Sequence, residues 1–482
     1  MGVGRRSLWL GLSQVIEVGL QVVLPMLLVR HLSQAAFGDY RLVWLIAAGL
    51  ASIAPMGMPN TLAYFLPRTS GLERESHAAV GVWYMLLIGA ISTCGVTIGI
   101  AYFGPTAEFR AMAWLAGLFT GIWVTGGLLD YLPVADERGD WQARAVIILA
   151  LLRCVLASAA AIHYEQLDYV FYALSISALV RLGMILVYAR RQHRFGSTLP
   201  TRSYWSAQVR LAWPIGLSSL MVSIRRQADQ WIAAAIFGTV QFAIFSLGAV
   251  FSSLVLLMRR AVSSTLMPTM SKQHAAGDWD AIIDTNNRAN LVVAFFALPL
   301  LAFIWCFGEP IYTTIYTAQY VGATPVMRVL TVSWLLQIVE LNSMILLAGQ
   351  MHYSARISTP LLLLSLVISV ISAYAFGLAG AAAGGVLVAF IERSLLIRQL
   401  GNYLNIPIRR LQAWGTLLTM MAVSWGLAGL GRLIFEFRPE AIAPLPAMLM
   451  LGVVLPLPYY LIARKFGWLP HTLLNTPSIS SH

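Results

Sequence analysis

Residues 357–376 read ISTPLLLLSLVISVISAYAF, without one charged side chain. A helix rises 1.5 Å per residue, so about 20 residues cross the hydrocarbon core of a bilayer. In lipid, backbone N–H and C=O groups must be satisfied within the segment or by a closed barrel. The apolar residues here are continuous rather than alternating. That pattern excludes a barrel strand and reads as a membrane-spanning α-helix.

Similar runs recur on both sides. Toward the N-terminus they lie at about 8–29, 41–66, 78–103, 110–133, 145–163 and 169–189, then at 211–237, 240–267, 288–307 and 323–348. Toward the C-terminus they lie at 379–400, 414–432 and 445–463. The expected fold is an all-α polytopic membrane protein of about fourteen transmembrane helices. Matched positions in the two halves, such as Arg181 and Arg393, point to two pseudo-symmetric six-helix lobes, with two further helices appended at the C-terminus. The expected divisions are 1–195 (helices 1–6), 196–402 (helices 7–12) and 403–482 (helices 13–14 and a cytoplasmic tail).

Composition agrees. Of the 482 residues, 59% are hydrophobic and 11% charged, with a mean hydropathy of +0.74. Soluble domains carry about 25% charged residues, so this chain lacks the charge to cover itself in water. The net charge of +12 is mostly arginine. In a membrane protein that excess marks loops retained in the cytoplasm rather than nucleic-acid binding. Cys94, Cys154 and Cys306 each fall inside an apolar run at no ligand spacing, so no metal site or disulfide framework is expected. The apolar stretch after Arg5 and Arg6 is too long for a signal-peptide core and reads as the first permanent helix.

The linkers are short, and no soluble domain fits between the spans. Basic residues then set the orientation. One set of loops holds Arg5, Arg6, Arg68, Arg74, Arg138, Arg144, Arg190, Arg191, Arg194, Arg202, Arg210, Lys272, Arg288, Arg356, Arg398, Arg409, Arg410, Arg464 and Lys465. The other holds only Arg30, Arg41, Arg110, Arg328, Arg432 and Arg438. Both termini are therefore expected in the cytoplasm. Internal repetition appears as well. Ala143-Arg144 and Ala355-Arg356 each open a helix, Arg181 corresponds to Arg393, and Phe37-Gly38-Asp39-Tyr40 echoes Phe242-Ala243-Ile244-Phe245. Such internal symmetry is common in transporters.

Several loops carry a further signal. Leu32, Phe37, Gly38 and Tyr40 follow helix 1, and Met267-Pro268-x-Met270-Ser271 with Gly277-Asp278 follows helix 8. Gly308 through Tyr316, with Tyr320, Ala323 and Pro325, precedes helix 10, and Gly377-Leu378-x-Gly380-Ala381-Ala382 opens helix 12. Together they resemble the Wzx-type polysaccharide and O-antigen flippases of the multidrug/oligosaccharidyl-lipid/polysaccharide exporter superfamily. The resemblance implies a two-lobed bundle whose cargo is an undecaprenyl-pyrophosphate-linked oligosaccharide. The cargo would move from the cytoplasmic to the periplasmic leaflet by alternating access, for O-antigen or exopolysaccharide synthesis. A polymerase and a chain-length regulator are the implied partners, beside the lipid bilayer. The alternatives are a small-molecule or multidrug antiporter, a lipid II flippase, or a membrane-embedded glycosyl- or acyltransferase. With no nucleophile–base pair and no P-loop, the chain reads as a non-enzyme without a cofactor.

Ionisable groups inside spans are costly and default to functional hypotheses. On helix 7, Arg225 and Asp229 share a face four residues apart, and Arg226 points elsewhere. With Arg259 and Arg260 on helix 8, these arginines form the expected cationic cavity, since guanidinium matches phosphate oxygens in pairs. Glu17, Asp229, Asp130 and Glu340 are the acids expected to couple an ion or to pair with arginine. Arg181 and Arg393 are expected to be structural. Arg153 and Glu392 complete the group, and Pro55, Gly57 and Pro59 predict a kink in helix 2.

Overall fold

The computed structural model describes residues 3–195, 200–439 and 442–469. In order, the helices are α1 (Val3–His31), α2 (Gln34–Ile53), α3 (Met58–Phe65), α4 (Gly71–Phe103), α5 (Ala107–Ala111), α6 (Ala113–Gly126) and α7 (Leu132–Ala135). Then come α8 (Gly139–Tyr164), α9 (Leu167–His193), α10 (Arg202–Gly248), α11 (Ser252–Ala275), α12 (Trp279–Cys306), α13 (Gly308–Ile311) and α14 (Ala323–Ile338). The last are α15 (Asn342–Leu347), α16 (Met351–Leu404), α17 (Ile408–Leu411), α18 (Trp414–Glu436), α19 (Pro444–Val454) and α20 (Pro456–Lys465).

By length and composition, 11 helical stretches among the described residues can cross a membrane. Two of them, Arg202–Arg259 and Met351–Leu404, run to 58 and 54 residues, far beyond one crossing. Each is broken by a glycine at positive φ: Gly238 (71°) and Gly377 (64°). At such angles a Cβ is unfavourable, and glycine adopts them freely. Beyond Gly377 the helix folds back on itself, for Gly384 rests against Ser369 and Ser365, and Gly380 against Ser372. The shorter apolar helix Ala323–Ile338 is continued by α15. Counted separately, these segments return the fourteen expected spans. The chain is a multi-pass, all-α membrane protein.

The chain divides into two compact units, Met1–Ala243 and Ile244–His482. The division lies inside α10, later than the 195/196 boundary expected from sequence. The reason is close packing of α10 on α2 and α3. A Cβ on Gly216 would strike the Met56 backbone at the break between those helices, and Gly49 faces Gln227 and Trp231. A Cβ on Gly38 would strike the Thr239 carbonyl. The expected kink at Pro55–Pro59 is present as a turn separating α2 from α3.

Within the first unit, α4 and α6 meet along small residues. Gly117 and Gly121 fit against Thr97 and Thr93, and Gly89 against Thr125. Thr125 also donates to the Met85 carbonyl at 3.2 Å. Membrane helices have no hydrophobic drive to associate with one another, so close backbone approach and hydrogen bonds supply the attraction. Of the echoing motifs, Phe37, Tyr40, Phe242 and Phe245 are all buried aromatics, which is packing.

Candidate functional site

Helix 4 is not continuous. After Gly126 the backbone tightens into a 3-10 turn over Gly127–Asp130 before α7 resumes. The turn presents Asp130 toward α9, where Arg181 donates to it at 2.6 Å. Gly126 makes room for this pair, since a Cβ there would press within 3.3 Å of the Arg181 stem. The Arg181 guanidinium also lies 4.5 Å from the Trp123 ring centre. Asp130 is half-exposed and Arg181 largely buried.

Trp123 serves a second arginine. Arg153, on α8, sits 5.4 Å from the Trp123 ring and 5.5 Å from that of Trp44 on α2. The two indoles meet edge to face at 4.9 Å. Arg153 is only 7% exposed. Both arginines, Asp130, Ser177, Trp123 and Glu17 of α1 line one small cavity of about 30 Å³. That is room for roughly two waters. Glu17 acts on Arg153 through space, yet among the described residues neither makes a hydrogen bond or ion pair. Two acids and two cations thus balance in charge, but only one pair is closed. Aromatic faces stabilise a cation without hydrogen bonds, which explains how Arg153 is held between α2, α6 and α8.

In the second unit Glu340 is placed differently. Helix 10 breaks between α14 and α15, with Glu340 in the break. Its carboxylate accepts from the backbone N–H of Asn342 (2.8 Å) and Ser343 (3.2 Å), capping α15. The side chain of Asn286 donates to the Glu340 carbonyl at 3.0 Å, and the Glu340 N–H donates to Asn290 at 3.0 Å. Asn290 in turn donates to Gln412 at 2.7 Å. These buried amides satisfy backbone groups that the break exposes. Arg393 and Glu392 on α16 are half-buried and engaged with other groups.

Of the expected cationic residues, Arg225, Arg226 and Asp229 belong to α10 in the first unit, and Arg259 and Arg260 to α11 in the second. Arg226 is exposed, whereas Arg225, Asp229 and Arg259 are half-buried. All four have interaction partners. The Arg260 side chain lies outside the described residues.

Two further polar clusters have no counterpart in the sequence-based expectations. Just outside the spans, Asp136 follows α7. It accepts from Arg74 of α4 at 2.8 Å and from Tyr188 of α9 at 2.9 Å, and lies 2.6 Å from His193 Nε2, also on α9. Burial works to raise the Asp136 carboxyl. The hydrogen bonds from His193, Arg74 and Tyr188 outweigh burial and hold it below the usual carboxylate range. Elsewhere in the unit, Gln208 of α10 donates to the His77 carbonyl at 2.8 Å, and Thr61 of α3 donates to Gln208 at 3.3 Å. The His77 ring stacks on Phe65 at 4.2 Å. No local motif announces either cluster, since the partners come from different helices.

Several solved structures share this architecture. The lipid II flippase MurJ, in its inward closed conformation, superposes with a TM-score of 0.75 at 13% identity, over 95% of this chain and 99% of that one. A multidrug resistance MATE family transporter of the MOP superfamily, inward-facing, gives 0.61 at 16% identity, over 82% and 99%. A MOP superfamily transporter from Pyrococcus furiosus gives 0.55 at 18%, over 83% and 96%. At such identities the likeness concerns the fold. No curated protein matches the sequence. The chain thus shares its fold with a lipid II flippase and with transporters of the MOP superfamily. More narrowly, the chain belongs to the polysaccharide biosynthesis protein family, whose profile matches residues 3–274.

Proposed function

We propose that this transporter flips an undecaprenyl-pyrophosphate-linked oligosaccharide from the cytoplasmic to the periplasmic leaflet of a bacterial inner membrane. It does so by alternating access of the repeats 1–195 and 196–402, and the product feeds O-antigen or exopolysaccharide assembly. Membership in the polysaccharide biosynthesis family carries this reading. The fold supports it. A lipid II flippase covers 95% of the chain, whereas a multidrug transporter covers 82%. The fuller coverage favours a lipid-linked cargo over a drug. Both termini face the cytoplasm, and a polymerase and chain-length regulator act downstream.

In this reading Arg226, with Arg225, Arg259 and Arg260, attracts the pyrophosphate. Charge-assisted hydrogen bonds from guanidinium to phosphate are about twice as strong as neutral ones, and they offset part of the cost of placing arginine in a span. Arg226→Ala is expected to abolish surface polysaccharide while membrane abundance holds. Arg226→Lys should rescue only in part, because it keeps charge and loses the fork. Normal export by an Arg226→Ala, Arg259→Ala, Arg260→Ala triple variant refutes the cationic role. Rescue of a strain depleted of its lipid II flippase, with polysaccharide export unaffected by deletion, would reassign the cargo to lipid II. A Ser203→Cys protein labelled from outside intact cells would reverse the orientation.

A further inference from the structure

The Arg153 cavity does not depend on the cargo assignment. A guanidinium carries five N–H donors in one plane. The Trp44 and Trp123 rings engage Arg153 at 5.5 and 5.4 Å, and ring contacts leave hydrogen-bond donors unused. Among the described residues, none of these donors meets an acceptor and no carboxylate closes an ion pair with Arg153. The side chain is nevertheless withdrawn from solvent, being 7% exposed. A buried, unpaired cation is among the most expensive features a protein can hold. Its remaining outlet is the cavity of about 30 Å³ that it lines.

The geometry points to a binding site for one small inorganic anion, of halide size, against the edge of the Arg153 guanidinium in this cavity. Polyatomic anions such as a sugar phosphate exceed the space. Ser177 also lines the cavity, but its hydroxyl proton is committed to the Leu174 carbonyl at 2.7 Å, so Arg153 supplies the donors. Arg181 adds positive potential from α9, although Asp130 already binds it at 2.6 Å. Glu17, from α1, is the internal competitor. Its carboxylate lines the same cavity without reaching Arg153 and disfavours a second negative charge there. Tyr40 and Cys154 are the remaining titratable groups whose fields reach Arg153. The site therefore weighs a bound anion against the charge on α1, and so ties anion occupancy to the electrostatic state of the α1–α8 pair.

Heavy halides quench indole fluorescence on contact, and two indoles flank Arg153. The test titrates the purified full-length protein in lipid nanodiscs with bromide, replacing gluconate at constant ionic strength. The chain has 15 tryptophans, so the signal is read as the difference between variants. The native protein is expected to show a saturable quenching component on top of the linear collisional one. Arg153→Gln should lose the saturable component. Glu17→Gln should lower its half-saturating bromide by about tenfold, since removing a unit charge a few ångströms away in a medium of effective dielectric near 20 is worth at least that. Linear quenching alone in the native protein overturns the site and leaves the cavity to water. Identical saturation in native and Arg153→Gln protein overturns it as well. Should Arg153→Gln fail to fold, Glu17→Gln decides: an unshifted midpoint refutes the proposal.

Discussion

Asp136→Ala is expected to be the most destabilising single change outside the membrane spans. The Asp136 and His193 side chains are 5% and 3% exposed, so neither partner has water to fall back on. Removing the carboxylate strands the His193 ring nitrogen and the Tyr188 hydroxyl, which stand 2.6 and 2.9 Å from Asp136 Oδ2. Arg74, 38% exposed, returns to solvent at little cost. Breaking a buried pair by deleting one partner costs about 3–5 kcal/mol, and each orphaned polar group accounts for about 1–3 kcal/mol of such losses. Scanning fluorimetry in one fixed detergent should give a midpoint lower by at least roughly 5 °C. The pH dependence has a definite sign. The native carboxyl titrates below its unfolded value. Its stabilisation is therefore full above the ordinary carboxylate pKa of about 3.9 and is lost as pH falls through the lower native value. The gap between native protein and Asp136→Asn should narrow as pH falls below about 4. A midpoint unchanged in Asp136→Ala, or a gap that widens in acid, refutes this account.

The remaining expectations concern packing and pairing. A cycle of Asp130→Asn, Arg181→Gln and the double variant should return a coupling of about 1–2 kcal/mol in thermal stability, modest because Asp130 is half-exposed; additive losses would contradict the pair. Gly121→Ala should cost about 1–3 kcal/mol by forcing a methyl against Thr93 and the Gly89 carbonyl, and an unchanged melting midpoint would show that α4 and α6 do not approach so closely. Glu340→Ala should cost about 0.5–2 kcal/mol through lost capping of α15, with faster amide exchange at Asn342 and Ser343 as its signature; unaltered exchange there would remove the capping role.

Lipid made the spans legible. A continuous apolar run such as 357–376 has one solution in a bilayer, and Gly377 marks its end in the sequence as it does in the structure. Breaks inside spans were not legible. Helix 4 reads as unbroken over 110–133 and helix 10 over 323–348, because hydropathy does not register a 3-10 turn at Gly127–Asp130 or the gap between Ile338 and Asn342. The intramembrane charges stand out individually, and so Glu17, Asp130, Arg153 and Arg181 are identifiable from the amino-acid sequence alone. Their grouping around one cavity is not, since it requires knowing that α1, α8 and α9 surround the end of α6. Asp136 and His193 were missed for another reason. Each sits at the end of a helix among polar residues, where an acid or histidine ordinarily faces water, and only the meeting of α4, α7 and α9 buries them.

The two helix breaks explain why the acids of helices 4 and 10 do different work. A break in a span exposes backbone groups that lipid cannot satisfy. In helix 10 the backbone opens at Val339, with ψ of 104°, so Asn286, Asn290 and the Glu340 carboxylate are all committed to the backbone. In helix 4 the backbone stays within itself. Tyr131 N–H bonds the Leu128 carbonyl at 3.1 Å, and Ala135 N–H bonds the Tyr131 carbonyl at 2.9 Å. Asp130 is therefore left over, and its carboxylate is available to a side chain. The same turn that frees Asp130 brings it to Arg181, and Arg181 shares Trp123 with Arg153. Glu340 is thus committed to the backbone in the second unit. In the first unit Asp130 is held by a side chain, beside a cavity, where an ion, a proton or a change of conformation has something to act on. Under the proposed transport function, which requires a change of state, the first-unit cluster is thus the better placed of the two to respond.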